Sequence, residues 1–151
     1  MAKKKPQTPS RIVNRRARYD YELGDSLVVG IQLSGGETKA LRMGHGQLRG
    51  AYVNVRNDEL WLVGAQISSS SGVPLSEDQQ NRSRKLLAKR REIDRLIAAR
   101  GEGNTIVPLE LLTNGRYIKL RIAVGRGKRR YDKRETLKRR QQEREAKRTT
   151  G

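Results

Sequence analysis

The chain has 151 residues, a formal net charge of +18 and no cysteine. That length suffices for one domain with a modest core, and the missing thiols exclude disulfides, zinc ribbons and cysteine chemistry. The charge sits at the ends: residues 1–18 carry +7 and residues 125–151 carry +8, leaving +3 for residues 19–124.

A nearly balanced body with two strongly basic ends is the electrostatic pattern of a nucleic-acid binder. An anionic membrane would attract the same ends, but neither end has the apolar face that an interfacial helix inserts. The N-terminus runs from lysines straight into proline and polar residues, without the apolar core of a signal peptide. No later stretch is long enough to span a bilayer, so a cytoplasmic protein is expected.

Residues 1–10 hold Pro6, Pro9 and three lysines and read as a disordered basic segment. Asn14–Arg18 (NRRAR) packs three arginines before the first strand signal. From Tyr19 to Leu33 the pattern is extended, with Leu27, Val29, Ile31 and Leu33 on one face and Ser26, Val28, Gly30 and Gln32 on the other. Ser34 and Glu37 then form a capping box that opens a short helix to about Met43. The glycines Gly35 and Gly36 fit either a tight turn or a phosphate cradle at that helix start.

Leu48–Asn57 and Glu59–Ile67 read as two strands about an Asn57-Asp58 turn, with Tyr52 and Trp61 as packing residues. Ser76 and Gln79 make a second capping box, and one helix is expected to run from there to Arg100. At 100° per residue Leu86, Ile93, Leu96 and Ile97 face the core, Arg84, Arg91 and Arg95 lie opposite, and Leu87 sits at the border.

Thr105–Leu112 is a further strand, which Pro108 restricts to an edge or a bulge. Asn114-Gly115 then predicts a tight hairpin turn. On the return strand Ile118, Leu120, Ile122 and Val124 point inward, and Tyr117, Lys119 and Arg121 point outward. The fold class is therefore mainly β with flanking helices: a small OB-like barrel of five to six strands and two to three helices, spanning residues 11–124.

The tail, residues 125–151, has only Tyr131, Leu137 and Ala146 as apolar residues and cannot bury a face. Its residues are good helix formers, with acids four before bases at Glu135–Arg139 and Glu143–Lys147. It reads as a basic arm that becomes helical on a polyanion, the alternative being a solvated charge run that only aids solubility. Tyr131, flanked by Arg129, Arg130, Lys133 and Arg134, fits stacking on a base and simple helix packing alike.

Catalytic chemistry is sparse. The single histidine, His45, lies between glycines with no carboxylate partner in its segment, and no His/Asp/Glu spacing resembles a metal site. Binding chemistry is plentiful, and the scarcity of body aromatics favours folded RNA recognised by shape and backbone. Charge and fold class alone suit a constitutive ribosomal protein equally well.

Specific motifs narrow this. Asn14-Arg15-Arg16-Ala17-Arg18, Gly36-Glu37-Thr38-Lys39-Ala40-Leu41-Arg42 and Arg82-Ser83-Arg84-Lys85-Leu86-Leu87 occur in that order. They are followed by Val107-Pro108-Leu109, Asn114-Gly115-Arg116 and Arg126-Gly127-Lys128-Arg129-Arg130-Tyr131-Asp132-Lys133-Arg134. Together they resemble the SmpB family of SsrA-binding proteins, from about residue 11 to residue 140.

The resemblance implies ribosome rescue: an OB-like body that binds the tRNA-like domain of transfer-messenger RNA and reaches stalled ribosomes together with elongation factor Tu. It implies RNA contacts in the body by Asn14, Glu37, Leu87 and Lys119. Arg15, Arg16, Arg18, Lys39, Arg42, Arg84, Lys85 and Arg121 add cations to that expected RNA-binding set. In the tail it implies that Arg126, Gly127, Lys128 and Arg129 lead into the small-subunit decoding centre. Tyr131 would stack there, and Asp132, Lys133 and Arg134 would begin a helix in the empty messenger channel, with Arg130 and Lys138 beside it. The implied protein is a cytoplasmic monomer with no cofactor, no catalytic residue and no membrane partner. The chain departs from the family at Val28, where many members carry Glu, at Thr38 and Ala40, and at Gln80, where a proline is common.

Overall fold

Tyr21–Ile31, eleven residues long, is the middle strand of the main sheet. A computed structural model of the chain describes residues 11–128, 138–142 and 144. In chain order the elements begin β1 (Arg11–Val13), α1 (Ala17–Asp20), β2 (Tyr21–Ile31), α2 (Gly35–Arg42) and β3 (Gly46–Gln47). Next come β4 (Tyr52–Arg56), β5 (Glu59–Val63), β6 (Gln66–Ile67), α3 (Glu77–Asn81) and β7 (Arg84–Leu87). Then follow α4 (Arg90–Gly101), β8 (Thr105–Leu112) and β9 (Lys119–Gly127). Residues 138–142 and 144 are helical, exposed and include Lys138.

Seven strands form one antiparallel sheet in the order β1-β8-β9-β2-β7-β5-β4, and β3 pairs with β6 separately. The sheet curls, bringing β4 back against β8, and α4 packs over β8 and β9. The expected alternation on β2 and β9 is present: Val29, Ile31, Leu120 and Ile122 are buried with Leu60, Leu62, Leu86, Ile93 and Leu96 in one core. The body is thus mainly β with flanking helices, as its sequence led us to expect, though with more strands.

Local signals explain several boundaries. The Ser34–Glu37 capping box forms reciprocally: the Glu37 N–H donates to Ser34 Oγ at 3.2 Å, and the Ser34 N–H donates to Glu37 Oε1 at 2.8 Å. Asn57 and Asp58 hold φ of 51° and 59°, the left-handed pair that a two-residue hairpin turn requires. Pro108 marks a bulge, with the β8–β9 register shifting between Pro108 and Glu110.

Three expectations are corrected. The single helix from Ser76 to Arg100 is in fact α3, then β7, then α4. β7 lies between two strands, pairing Leu86 with Ile31 and Arg84 with Leu62. Its period of two was masked because one of its inward residues is an arginine, so the apolar pattern suited a helix face as well.

The Asn114-Gly115 signal does mark a hairpin, but residues 113–118 form a longer loop and Asn114 lacks a positive φ. A tertiary contact overrides the local preference: Arg42 Nη1 and Nη2 donate to the carbonyls of Thr113 and Arg116, each at 2.8 Å. The third correction concerns the tail boundary. β9 continues beyond residue 124 to Gly127, pairing Gly125 with Leu23, Arg126 with Glu22 and Gly127 with Tyr21.

Candidate nucleic-acid interface

Pairing register decides which side chains share the outer face of the sheet. One row runs Arg11, Leu112, Lys119, Gly30 and Leu87 across five strands. The next row on the same face is Val13, Glu110, Arg121 and Val28. Beyond Leu87 the face continues with Lys85, which pairs with Trp61, and Trp61 pairs with Asn54. Four segments far apart in sequence therefore converge, and Leu87, Lys85, Lys119 and Arg121 lie together on this surface.

Leu87 is 47 % exposed, an unusual position for a leucine at the centre of a sheet. Gly30 pairs with it: a Cβ there would stand 3.2 Å from Leu87 Cβ and 3.6 Å from Leu87 Cδ1, so a larger residue would crowd the leucine. The result is an apolar spot with Lys119 on one side and Lys85 near the other. An apolar contact ringed by cations suits a ribose or base edge between phosphates.

The face opens at one end into a cleft of ≈ 790 Å³ beside the NRRAR segment, lined by Arg11, Arg15, Arg18, Arg121 and Lys128 with Glu22 and Glu110. Arg15 and Arg18 are exposed there. Arg16 points elsewhere, making a 3.4 Å ion pair with Asp20 and stacking 4.5 Å over the Tyr19 ring. Asn14 has a structural duty: its Nδ2 donates to the Pro108 carbonyl at 2.8 Å, and its backbone N–H donates to Leu109 O at 2.7 Å. Its Oδ1 is buried and finds no partner among the described residues. The side chain thus fastens the β8 bulge to the N-terminal segment.

Two residues expected to face RNA do not reach the surface. Glu37 is fully buried and Arg84 is 1 % exposed. Arg84 Nε donates to Glu37 Oε2 at 2.7 Å, and its other donors reach carbonyls of Ala65, Arg82 and Gln79. Arg82 donates to both Glu37 oxygens. Burial alone would raise the Glu37 pKa; the hydrogen bonds from Arg82, the Ser34 N–H and Arg84, with the Arg84 charge, lower it from 4.5 to about 2. Burial lowers the Arg84 pKa, and Glu37 opposes that shift. The cluster ties α2, the end of α3 and the residues before β6 to β7, and so fixes the strand that carries Lys85 and Leu87.

Arg42 likewise spends its guanidinium on the 113–118 loop, from which Tyr117 projects 69 % exposed with Arg116 5.5 Å from its ring. Lys39 is exposed on α2, outside the two outer rows. At the tail root, Arg126 and Gly127 belong to β9. Lys128 latches to α1, its N–H donating to Asp20 O and its Nζ to Arg18 O, both at 2.9 Å. Arg129, Arg130, Tyr131, Asp132, Lys133 and Arg134 lie outside the described residues.

Arg11 and Glu110 joined the surface without being singled out in advance. The signal for Glu110 was present in Pro108: a bulge there changes which of the following residues face outward. His45 is also better placed than a flexible turn residue, since its N–H donates to Ala40 O and its carbonyl accepts from Ser68.

Comparison with known proteins places this surface in context. The family model described as SmpB protein matches residues 11–151. An SsrA-binding protein of Coxiella burnetii (strain Dugway 5J108-111) is 42 % identical over 145 residues, 94 % of this chain and 91 % of the relative. That of Nitratidesulfovibrio vulgaris (strain DP4) is 41 % identical over 149 residues, covering 98 % of this chain and 97 % of the relative. Among solved structures, a chain of "tmRNA-SmpB: a journey to the center of the bacterial ribosome" superposes with a TM-score of 0.67 at 34 % identity. The match covers 85 % of this chain and 95 % of that one.

Proposed function

We propose, because the chain belongs to the SmpB family, that it binds transfer-messenger RNA and brings it to stalled ribosomes for trans-translation. The observation that carries this reading is the outer face itself: an exposed leucine beside a glycine, with Lys85, Lys119 and Arg121 on the same face, opening into an arginine-lined cleft. Such a surface offers phosphate contacts for affinity and one apolar contact for position. The body holds the tRNA-like domain through Leu87, Lys119, Lys85, Arg121, Arg15 and Arg18. Glu37, Arg84 and Asn14 act from beneath by holding the strands that present these groups.

The tail supplies the second half. From Arg129 onward it enters the decoding centre of the small subunit, with Tyr131 stacking there and the segment from Asp132 to Lys138 helical in the vacant messenger channel. Elongation factor Tu accompanies the RNA complex, the chain works as a monomer, and the setting is cytoplasmic. Among the described residues no helix is long and apolar enough to cross a membrane.

Titration of the purified chain with a tRNA-like RNA and with a random duplex of equal length, at near-cellular salt, tests the body. Marked preference for the tRNA-like RNA is expected; equal affinity for the two overturns the reading. Because Gly125–Gly127 are sheet residues, the tail is tested by truncation after Lys128. That variant should keep its RNA affinity and lose rescue of stalled ribosomes. Tyr131→Ala should impair rescue more than RNA binding, and equal losses in both assays would count against stacking.

A further inference from the structure

Glu110 is the sole carboxylate in the two outer rows, and it is set between two of their arginines. Its Oε1 accepts from Arg121 Nε at 3.1 Å and its Oε2 lies 3.4 Å from Arg11 Nη1. The Glu110 side chain is only 15 % exposed, against 38 % for Arg121 and 63 % for Arg11, so the anion lies low and the cations stand over it. The β8 bulge puts it there, and Val13 and Val28 close the row at either end. Any polyanion reaching this part of the face meets two arginines that already hold an acid.

We infer that Glu110 determines the RNA selectivity of the outer face by keeping Arg11 and Arg121 partly neutralised. This rests on the reading of that face as the RNA-binding surface. A phosphate arriving at random must displace the carboxylate or sit beside it, and like charges at that range repel. A phosphate delivered in register by a folded RNA, already anchored at Leu87 and Lys119, meets an Arg121 that holds Glu110 through its Nε and is 38 % exposed. The carboxylate therefore costs little to the correct partner and more to the wrong one, which is how specificity is gained at the expense of general affinity. Glu110 touches no substrate atom in this scheme; it acts through the two arginines.

The test compares Glu110→Gln with Glu102→Gln, which makes the same charge change at an exposed residue after α4 that belongs to neither outer row. Glutamine keeps the size of Glu110 and an acceptor for Arg121, so the sheet is preserved. Glu110→Gln should tighten binding to a random RNA duplex by about three- to tenfold. It should also steepen the salt dependence by about one to two in log–log slope, as each freed arginine takes up a phosphate. Affinity for a tRNA-like RNA should change by less than about twofold, so discrimination falls. Glu102→Gln should leave both slope and discrimination unchanged, and Arg11→Gln should remove about half of the slope gain seen on the Glu110→Gln background.

Equal effects of the two glutamine variants, or a uniform loss of affinity for both RNAs in Glu110→Gln, would overturn the inference in favour of overall charge or a purely structural role. If the parent chain showed no preference for the tRNA-like RNA, the proposed function would fall. The difference in salt slope would then still decide whether Glu110 withholds the two arginines.

Discussion

Two acid–arginine clusters in this molecule use the same chemistry to opposite ends. Glu37, Arg82 and Arg84 lie beneath the sheet, where Glu37 has no exposure and Arg84 is satisfied by carbonyls on several sides. Glu110, Arg11 and Arg121 lie on top of it, with both arginines open to solvent. In the first cluster Glu37 and Arg84 are shut off from solvent and neither tolerates loss of the other, so the pair acts as a fastening. In the second, solvent screens the pair and a competing anion can enter, so it acts as an adjustable contact. Depth decides the role.

The most damaging way to test the contrast is to unpair the lower cluster. Arg84→Ala leaves Glu37 buried with Arg82 as its one remaining arginine and should cost about 3–5 kcal/mol of stability. The measurement is the denaturant midpoint, and a variant as stable as the parent would show that the cluster is no fastening. A Glu37→Leu/Arg84→Met double variant should be less destabilised than either single change, because the only charge left without its partner, Arg82, is partly exposed. By contrast, removing the acid of the outer cluster, as in Glu110→Gln, should move stability little and RNA discrimination substantially.

Acid sharpens the comparison next. The folded pKa of Glu37 lies below its ordinary value, so its contribution is present above the unfolded pKa of 4.5 and is lost as the pH falls through about 2. That window corresponds to about 3 kcal/mol of stability. Denaturant midpoints taken from pH 6 down to pH 2 should fall steeply for the parent chain and more gently for Glu37→Gln. Parallel curves would mean that the lower cluster has no part in acid unfolding.

The smallest expected effect separates two kinds of contact within the upper face. Lys119→Ala should weaken RNA binding by about tenfold and lower the salt slope by about one, the signature of a lost phosphate contact. Leu87→Ala should weaken binding by a similar amount with the slope unchanged, since no counterion is involved. Neither residue is buried, so melting temperatures should shift little. A slope change at Leu87 would place a phosphate where we place a ribose or base.

How far the fold was legible depended on where each signal came from. The Ser34–Glu37 and Ser76–Gln79 boxes, the Asn57-Asp58 turn and the alternation of β2 and β9 are local, and each appears where its residues call for it. β7 was misread because Arg84 is an inward residue whose partner is 47 positions away in sequence. No window of neighbouring residues contains the information that Arg84 is neutralised by Glu37. The 113–118 loop failed for a related reason, since Arg42 holds it from 71 residues away. Of the site, Leu87, Lys119 and Arg121 were visible as outward or border positions. Glu110 was not, because its direction depends on a register shift at Pro108.

The last feature is the junction at the end of β9. Gly127 is paired to Tyr21 and Lys128 is latched to α1, so the root of the basic arm is tied to the sheet and to α1 as far as Lys128. Lys119 lies at the other end of the same strand, eight residues earlier, roughly 26 Å away if fully extended. The strand is thus a ruler: whatever the upper face holds is kept at a set span from the root of the arm. A one-residue insertion or deletion within β9 would miscalibrate that span, and two cargo contacts that are each intact would no longer be made at once.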